Sequence, residues 1–210
     1  MLTINQLTKQ FKVGSPVFEN VNAEYVPGKA VGVIGPNGSG KTTFLRILSV
    51  NSFPTSGSVL FDGSNIHEFP SNYLQHVGLI HDEETLPVHL SATELLEWIL
   101  RNRGHWTEES PQNIDQIFEK LKLAEKDEQI GTYSTGMKKK TQIAAAFITN
   151  PDILIMDEPL RGLDKETRVV VYDLIKNQKK SNNSLIFMSS HSMDTKDEIF
   201  DEILEFPLRS

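Results

Sequence analysis

The chain has 210 residues and a mass of 23.7 kDa, enough for one domain that buries a core of its own. Its 38% hydrophobic and 23% charged residues exclude a disordered chain, and the absence of cysteine excludes a disulfide framework and thiolate chemistry. Acids outnumber bases by 28 to 21, so a net charge of −7 gives nonspecific binding to a nucleic-acid backbone no electrostatic support. The longest apolar runs, 143–148 and 30–34, fall far short of the roughly 18 residues that span a bilayer, and residues 1–12 show no signal peptide. A soluble domain on the cytosolic side is expected.

Short aliphatic runs alternate with longer helical patterns, without repeats or a Gly/Ser-rich linker. Ala30–Ile34 reads as a buried strand and 41–49 as a helix with Phe44, Leu45 and Leu48 on one face. Val59-Leu60-Phe61 before Asp62-Gly63 reads as a strand and turn, and Val77–Ile80 is another short apolar run. In 90–101, Leu95, Leu96, Ile99 and Leu100 recur at helical spacing, and Ser91 with Glu94 forms a capping box. Residues 113–123 and 138–148 read as two more helices, the second ended by Asn150-Pro151. The apolar runs Ile153–Met156 and 185–188 flank a helical stretch at 165–176, and a last strand is read at 203–206. All-apolar strands joined through helices mark a parallel sheet covered on both faces. The core is therefore expected to be α/β, with a mostly helical insertion from 84 to about 123.

Gly35-Pro36-Asn37-Gly38-Ser39-Gly40-Lys41-Thr42 stands between the first of these strands and the first helix. Glycines let backbone N–H groups converge on phosphate oxygens where a side chain would collide. The following helix directs its positive end at the same anion. Lys41 offers a point charge to the outer phosphates, the Thr42 hydroxyl is a Mg2+ ligand, and Thr43 is counted with the nucleotide-binding residues. The pattern in this context predicts a nucleoside triphosphate site.

Three further motifs accompany it: Ile153-Leu154-Ile155-Met156-Asp157-Glu158-Pro159, Gly162-Leu163-Asp164 and Tyr133-Ser134-Thr135-Gly136-Met137. With them the chain resembles the ATP-binding cassette (ABC) family over nearly its whole length. The resemblance implies an α/β fold: a P-loop ATPase core with a mainly parallel sheet, an N-terminal antiparallel β subdomain and a helical insertion subdomain at about 84–133, all in one domain over 1–210. It implies ATP and Mg2+ as ligands, with Asp157 holding the metal and Glu158 taking a proton from the attacking water. Asp164 belongs to the loop that meets a partner subunit, and His191 matches the histidine that contacts the γ-phosphate. Ser134 and Gly136 stand in the family signature, usually Leu-Ser-Gly-Gly-Gln, which binds the nucleotide of the opposite subunit in a head-to-tail dimer. Here Thr135 replaces the first glycine and Met137 the glutamine, a variant like those of export-type members. Phe11 occupies the place of the aromatic that stacks on adenine, the other reading being a core phenylalanine.

After the run Val77–Ile80 the family carries a glutamine that touches Mg2+ and water, whereas this chain reads His81-Asp82-Glu83-Glu84. By position Asp82 replaces it, as a carboxylate able to ligate the metal but adding negative charge beside a polyanion. Lys138-Lys139-Lys140 reads as a solvated helix face. The function implied is an ATPase subunit, peripheral on the cytoplasmic face of a membrane. It would power a separate membrane-spanning subunit, leaning to export because the sequence ends at Ser210 without an added regulatory domain. Residues 82–98 would form the groove receiving a helix of that partner. The second cassette is a copy of this chain or a homologue, and nucleic acid is not expected as a partner. The alternatives are a soluble ABC protein acting on ribosomes, DNA or cofactor assembly, and a nucleotide-dependent switch with little hydrolysis.

Overall fold

The computed structural model describes residues 1–81, 86–190 and 199–208. Among these, five parallel strands lie in the order β6 (Val77–Ile80), β7 (Ile153–Met156), β8 (Leu185–Ser190), β3 (Ala30–Ile34) and β9 (Glu202–Glu205). β3 and β7 are buried along their whole length, as strands covered on both faces must be. Alternation along each strand sorts its side chains between two cores. Val31, Val33, Ile153, Ile155, Leu185 and Phe187 enter one, while Ala30, Leu154, Met156, Ile186 and Met188 enter the other.

The first core is closed by an antiparallel sheet in the order β2 (Ser15–Tyr25), β1 (Leu2–Lys12), β4 (Ser56–Phe61) and β5 (Ser64–Asn65). Helix α1 (Lys41–Leu48) completes it with Phe44, Leu45, Ile47 and Leu48. The rings of Phe18, Phe44 and Phe206 meet there at centroid distances of 5.6 to 6.2 Å. The short helix α2 (Pro70–Leu74) leads into β6. The second core is closed by α3 (Ala92–Asn102), α4 (Ser110–Lys120), α5 (Thr135–Phe147) and α6 (Lys165–Ser181). Among the described residues no helix is long and apolar enough to cross a membrane.

The capping box at α3 is formed in both directions: Glu94 N–H donates to Ser91 Oγ at 3.1 Å and Ser91 N–H to the Glu94 carboxylate at 2.8 Å. α5 starts three residues before the expected 138 because Ser134 caps it, accepting from Met137 N–H. α6 continues five residues past the expected 176, through a polar stretch without an apolar period, where buried Gln178 donates to Pro151 O. α2 is too short to show periodicity.

α5 lies close against the edge strand β6, and Gly78 permits it. A Cβ there would stand 2.4 Å from the backbone oxygen of Ala146 and 2.7 Å from Pro151 Cγ. Arg103, directly after α3, ties the helical layer to the same edge by donating to Val77 O at 3.0 Å and Thr149 Oγ1 at 3.3 Å. Gly78→Ala should therefore lower stability by about 1–3 kcal/mol, the usual cost of overpacking. Urea unfolding monitored by circular dichroism checks it, and an unchanged midpoint would show that α5 can shift without cost.

Candidate active site

The loop that leaves β3 turns back into α1 through glycines held at φ +74 (Gly38) and +106 (Gly40), values a side chain tolerates poorly. A Cβ on Gly40 would meet Val17 Cγ1 at 2.5 Å, whereas one on Gly38 would meet nothing within 4 Å. Gly40 is the N-cap of α1 and no side chain caps that end. The first-turn N–H groups and the positive end of the helix therefore face the loop's concavity. Lys41 is only 5% exposed, and its Nζ donates to Gly35 O at 2.7 Å and Pro36 O at 2.9 Å. Burial pushes its ammonium below the ordinary lysine pKa, while Glu158 and Asp157 pull in the opposite direction.

Sheet register brings the acids to the same place. Met156 pairs with Met188 and Val33 with Ser189, so Asp157, Ser189 and the start of the glycine loop meet at the carboxyl ends of three neighbouring strands. Ser189 Oγ donates to Asp157 Oδ1 at 2.6 Å and accepts from Glu158 N–H at 2.9 Å. Asp157 N–H donates in turn to Ile80 O on β6 at 2.8 Å. Glu158 adopts φ +47, and its side chain, 13% exposed, places Oε2 3.6 Å from Arg161 Nη1.

A cavity of about 1240 Å3 gathers Phe11, Asn37, Gly38, Gly40, Lys41, Thr42, Thr43 and Glu158, and Arg161, Lys165 and Arg168 also line it. Gly35 and Asp157 stand just behind this surface, the first through its carbonyl on Lys41, the second through Ser189. Ser39 borders a second hollow beneath the loop, and its Oγ is buried without a hydrogen-bond partner among the described residues. Phe11 is 71% exposed with Lys9 Nζ 5.0 Å from its ring centroid, so the core alternative for it is excluded.

Ser134, Gly136 and Asp164 do not line this cavity. They form a second group, in which a Cβ on Gly136 would lie 3.7 Å from Gly162 O. Asp164 caps α6, accepting from the N–H and hydroxyl of Thr167 at 2.8 and 2.7 Å, and these bonds hold its carboxyl below the usual range. Asp82 and His191 lie outside the described residues. Lys139 departs from the expected solvated face: it is buried, and its Nζ donates to His81 O at 2.9 Å.

Two features escaped the sequence reading. Ser189 was visible as a polar residue closing an apolar strand. Arg161, Lys165 and Arg168 were visible as cations at helical spacing. The donor set fits a nucleoside triphosphate with Mg2+. An open glycine cradle, a buried ammonium, a buried hydroxyl with no partner among the described residues and several cations suit phosphates, and Thr42 with Asp157 supplies the hard oxygen donors Mg2+ prefers.

Comparison with known proteins agrees. The family described as ABC transporter matches residues 18–161. The Nod factor export ATP-binding protein I of Cupriavidus metallidurans is 30% identical over 184 residues, 87% of this chain, which spans 60% of that relative's length. The lantibiotic transport ATP-binding protein SrtF of Streptococcus pyogenes is 32% identical over 208 residues, 97% of this chain and 85% of that protein. Among solved structures, the dimeric ATP-binding cassette MJ0796 in a post-hydrolysis state bound to ADP and Pi superposes with a TM-score of 0.85 at 24% identity. That alignment covers 98% of this chain and 94% of that one. With its glycine loop, paired acids and parallel sheet in this arrangement, the chain belongs to the ABC transporter family as an ATP-binding ATPase cassette.

Proposed function

We propose that this cassette hydrolyses ATP to drive a separate membrane-spanning subunit, working in export from the cytoplasmic face as a peripheral subunit. The observation that carries the catalytic part is that Lys41, Thr42 and Glu158 line one cavity while Asp157 is held beside them by Ser189. Backbone N–H groups of the glycine loop, with Asn37, Ser39 and Thr43, receive the phosphates, and Lys41 balances their outer charge. Phe11, at the cavity mouth, stacks on the adenine ring. Thr42, Asp157 and Asp82 are the oxygen ligands for Mg2+, which when bound neutralises phosphate charge. Glu158 accepts the proton of the attacking water, and His191 contacts the terminal phosphate.

Ser134, Gly136 and Asp164 serve a nucleotide held by a second cassette, either another copy of this chain or a homologue. Their separation from the chain's own cavity supports this, as does the dimeric state of the MJ0796 cassette. The export reading draws support from relatives named for Nod factor export and lantibiotic transport. The partner's helix docks on the helical subdomain, 84–133 of a single domain over 1–210. A shallow groove between β6, α3 and α5, with Trp98 and Ile99 on one wall, supports that placement.

Lys41→Ala should weaken ATP binding by at least about 10-fold, since a hydrogen bond to a charged group contributes about 1.5–3 kcal/mol. Equilibrium nucleotide titration measures it, and unchanged affinity would refute the role of the loop. Glu158→Gln keeps the shape but cannot accept the proton, so turnover should fall by on the order of 10²-fold while ATP still binds. An ATP-dependent dimer should then accumulate in light scattering. Turnover close to wild type would assign the base elsewhere.

A further inference from the structure

A lysine buried inside a helical layer asks for a reason, because an ammonium withdrawn from water is stable only where hydrogen bonds replace the water. Lys139 is 3% exposed, on the α5 face that packs toward β6, and its Nζ donates to the backbone oxygen of His81, the residue that follows β6. The same helix meets the same strand a second time where Ala146 O closes on Gly78. From Lys139 to Ala146, seven residues of helix rise about 10.5 Å, and from Gly78 to His81, three residues of strand rise about 10 Å. The two contacts are thus in step along antiparallel elements. The Gly78 contact sets how closely α5 approaches, and Lys139 fixes the end that carries Ser134 and Gly136.

His81 is itself anchored. The side-chain amide of Asn51 donates to His81 Nε2 at 3.1 Å, and Asn51 N–H donates to Arg46 O at the close of α1. A polar link therefore runs from the helix that opens at Lys41, through Asn51 and His81, to the helix that opens at Thr135. These two helix starts carry the two phosphate-binding motifs of the chain.

We propose that Lys139 is a positioning residue for ATP hydrolysis: it locks α5 to His81 and, through Asn51, to the end of α1, so that Ser134 and Gly136 keep a fixed relation to the phosphate loop. The inference rests on the proposed role of Ser134 and Gly136 toward a second cassette's nucleotide. A methionine fills a comparable volume without the bond, so Lys139→Met removes the lock and little bulk.

The test uses the full chain with Lys139→Met, Lys139→Arg and Asn51→Ala, measuring ATP affinity, steady-state hydrolysis and folded fraction at the assay temperature. Lys139→Met should lower kcat by at least about 10-fold, as small misplacements of reacting groups do. The affinity of the chain for ATP should stay within about 2-fold, because its own phosphate loop is untouched. Lys139→Arg should restore at least half of the lost turnover. Asn51→Ala should lower kcat in the same direction, and the double variant Lys139→Met/Asn51→Ala should be no worse than Lys139→Met, the mark of two groups in one network. An unchanged kcat in Lys139→Met or in Asn51→Ala overturns the proposal, as does a loss matched by the unfolded fraction and not restored by arginine. Should Lys139→Met fail to fold, Asn51→Ala decides the matter: an unchanged kcat in it overturns the proposal. A wild-type chain that neither binds nor hydrolyses ATP overturns the functional reading together with this inference. Wild-type hydrolysis with unaffected variants overturns this inference alone.

Discussion

The hydroxyl of Ser189 holds together two consecutive residues of the neighbouring strand's end, donating to the Asp157 carboxylate and accepting from the Glu158 N–H. Both acids depend on it. The bond to Asp157 satisfies one lone pair of a buried anion that would otherwise be costly in a low-dielectric interior. The bond from Glu158 sets the backbone where the chain leaves the sheet, and so decides which way the next side chain points. Because Ser189 also sits beside Val33, the same residue keeps the acids in register with the glycine loop that follows Ile34. A strand of ordinary aliphatic composition would end here in valine or isoleucine and supply none of these links.

The parallel sheet does more than carry this end. Strict alternation divides its side chains between an inner layer backed by the antiparallel sheet and α1, and an outer layer backed by the four longer helices. The phosphate loop belongs to the first layer and the Ser134 cap to the second. Any mechanical relation between them must pass through or around the sheet. At its edge, β6 and the residue after it offer two routes in opposite styles: Gly78, which lets backbone approach backbone, and the His81 carbonyl, which receives a buried cation. Arg103 adds a third tie to the same strand from the end of α3.

Much of this was legible in the sequence, and the reasons are specific. The strands Ala30–Ile34, Val77–Ile80 and Ile153–Met156 are apolar on both faces, so no register choice obscures them. The glycine loop is legible because its conformation needs particular residues. β1 and β2 gave no usable alternation: Leu2 and Ile4 point inward, but the pairing with β2 shifts between Ile4 and Leu7, and Gln6 turns to φ +48. Apart from the strand and turn at 59–63, read from the residues, the N-terminal sheet was therefore expected only through family resemblance. The burial of Lys139 was not legible, since a cation's burial is decided by what another element presents to it. The basic set Arg161, Lys165 and Arg168 went unread although its helical spacing is there, because it begins in the loop ahead of α6.

Glu158 is a residue with a side chain in a backbone conformation that costs an L-amino acid of order 1–3 kcal/mol. Asparagine or glycine would suit that conformation better. With the proposed role of Glu158 as proton acceptor, the position would set endurance against turnover. If Glu158 serves as proposed, a population of variants selected only for resisting heat would replace this glutamate and drift toward longer-lived cassettes that hold nucleotide without consuming it.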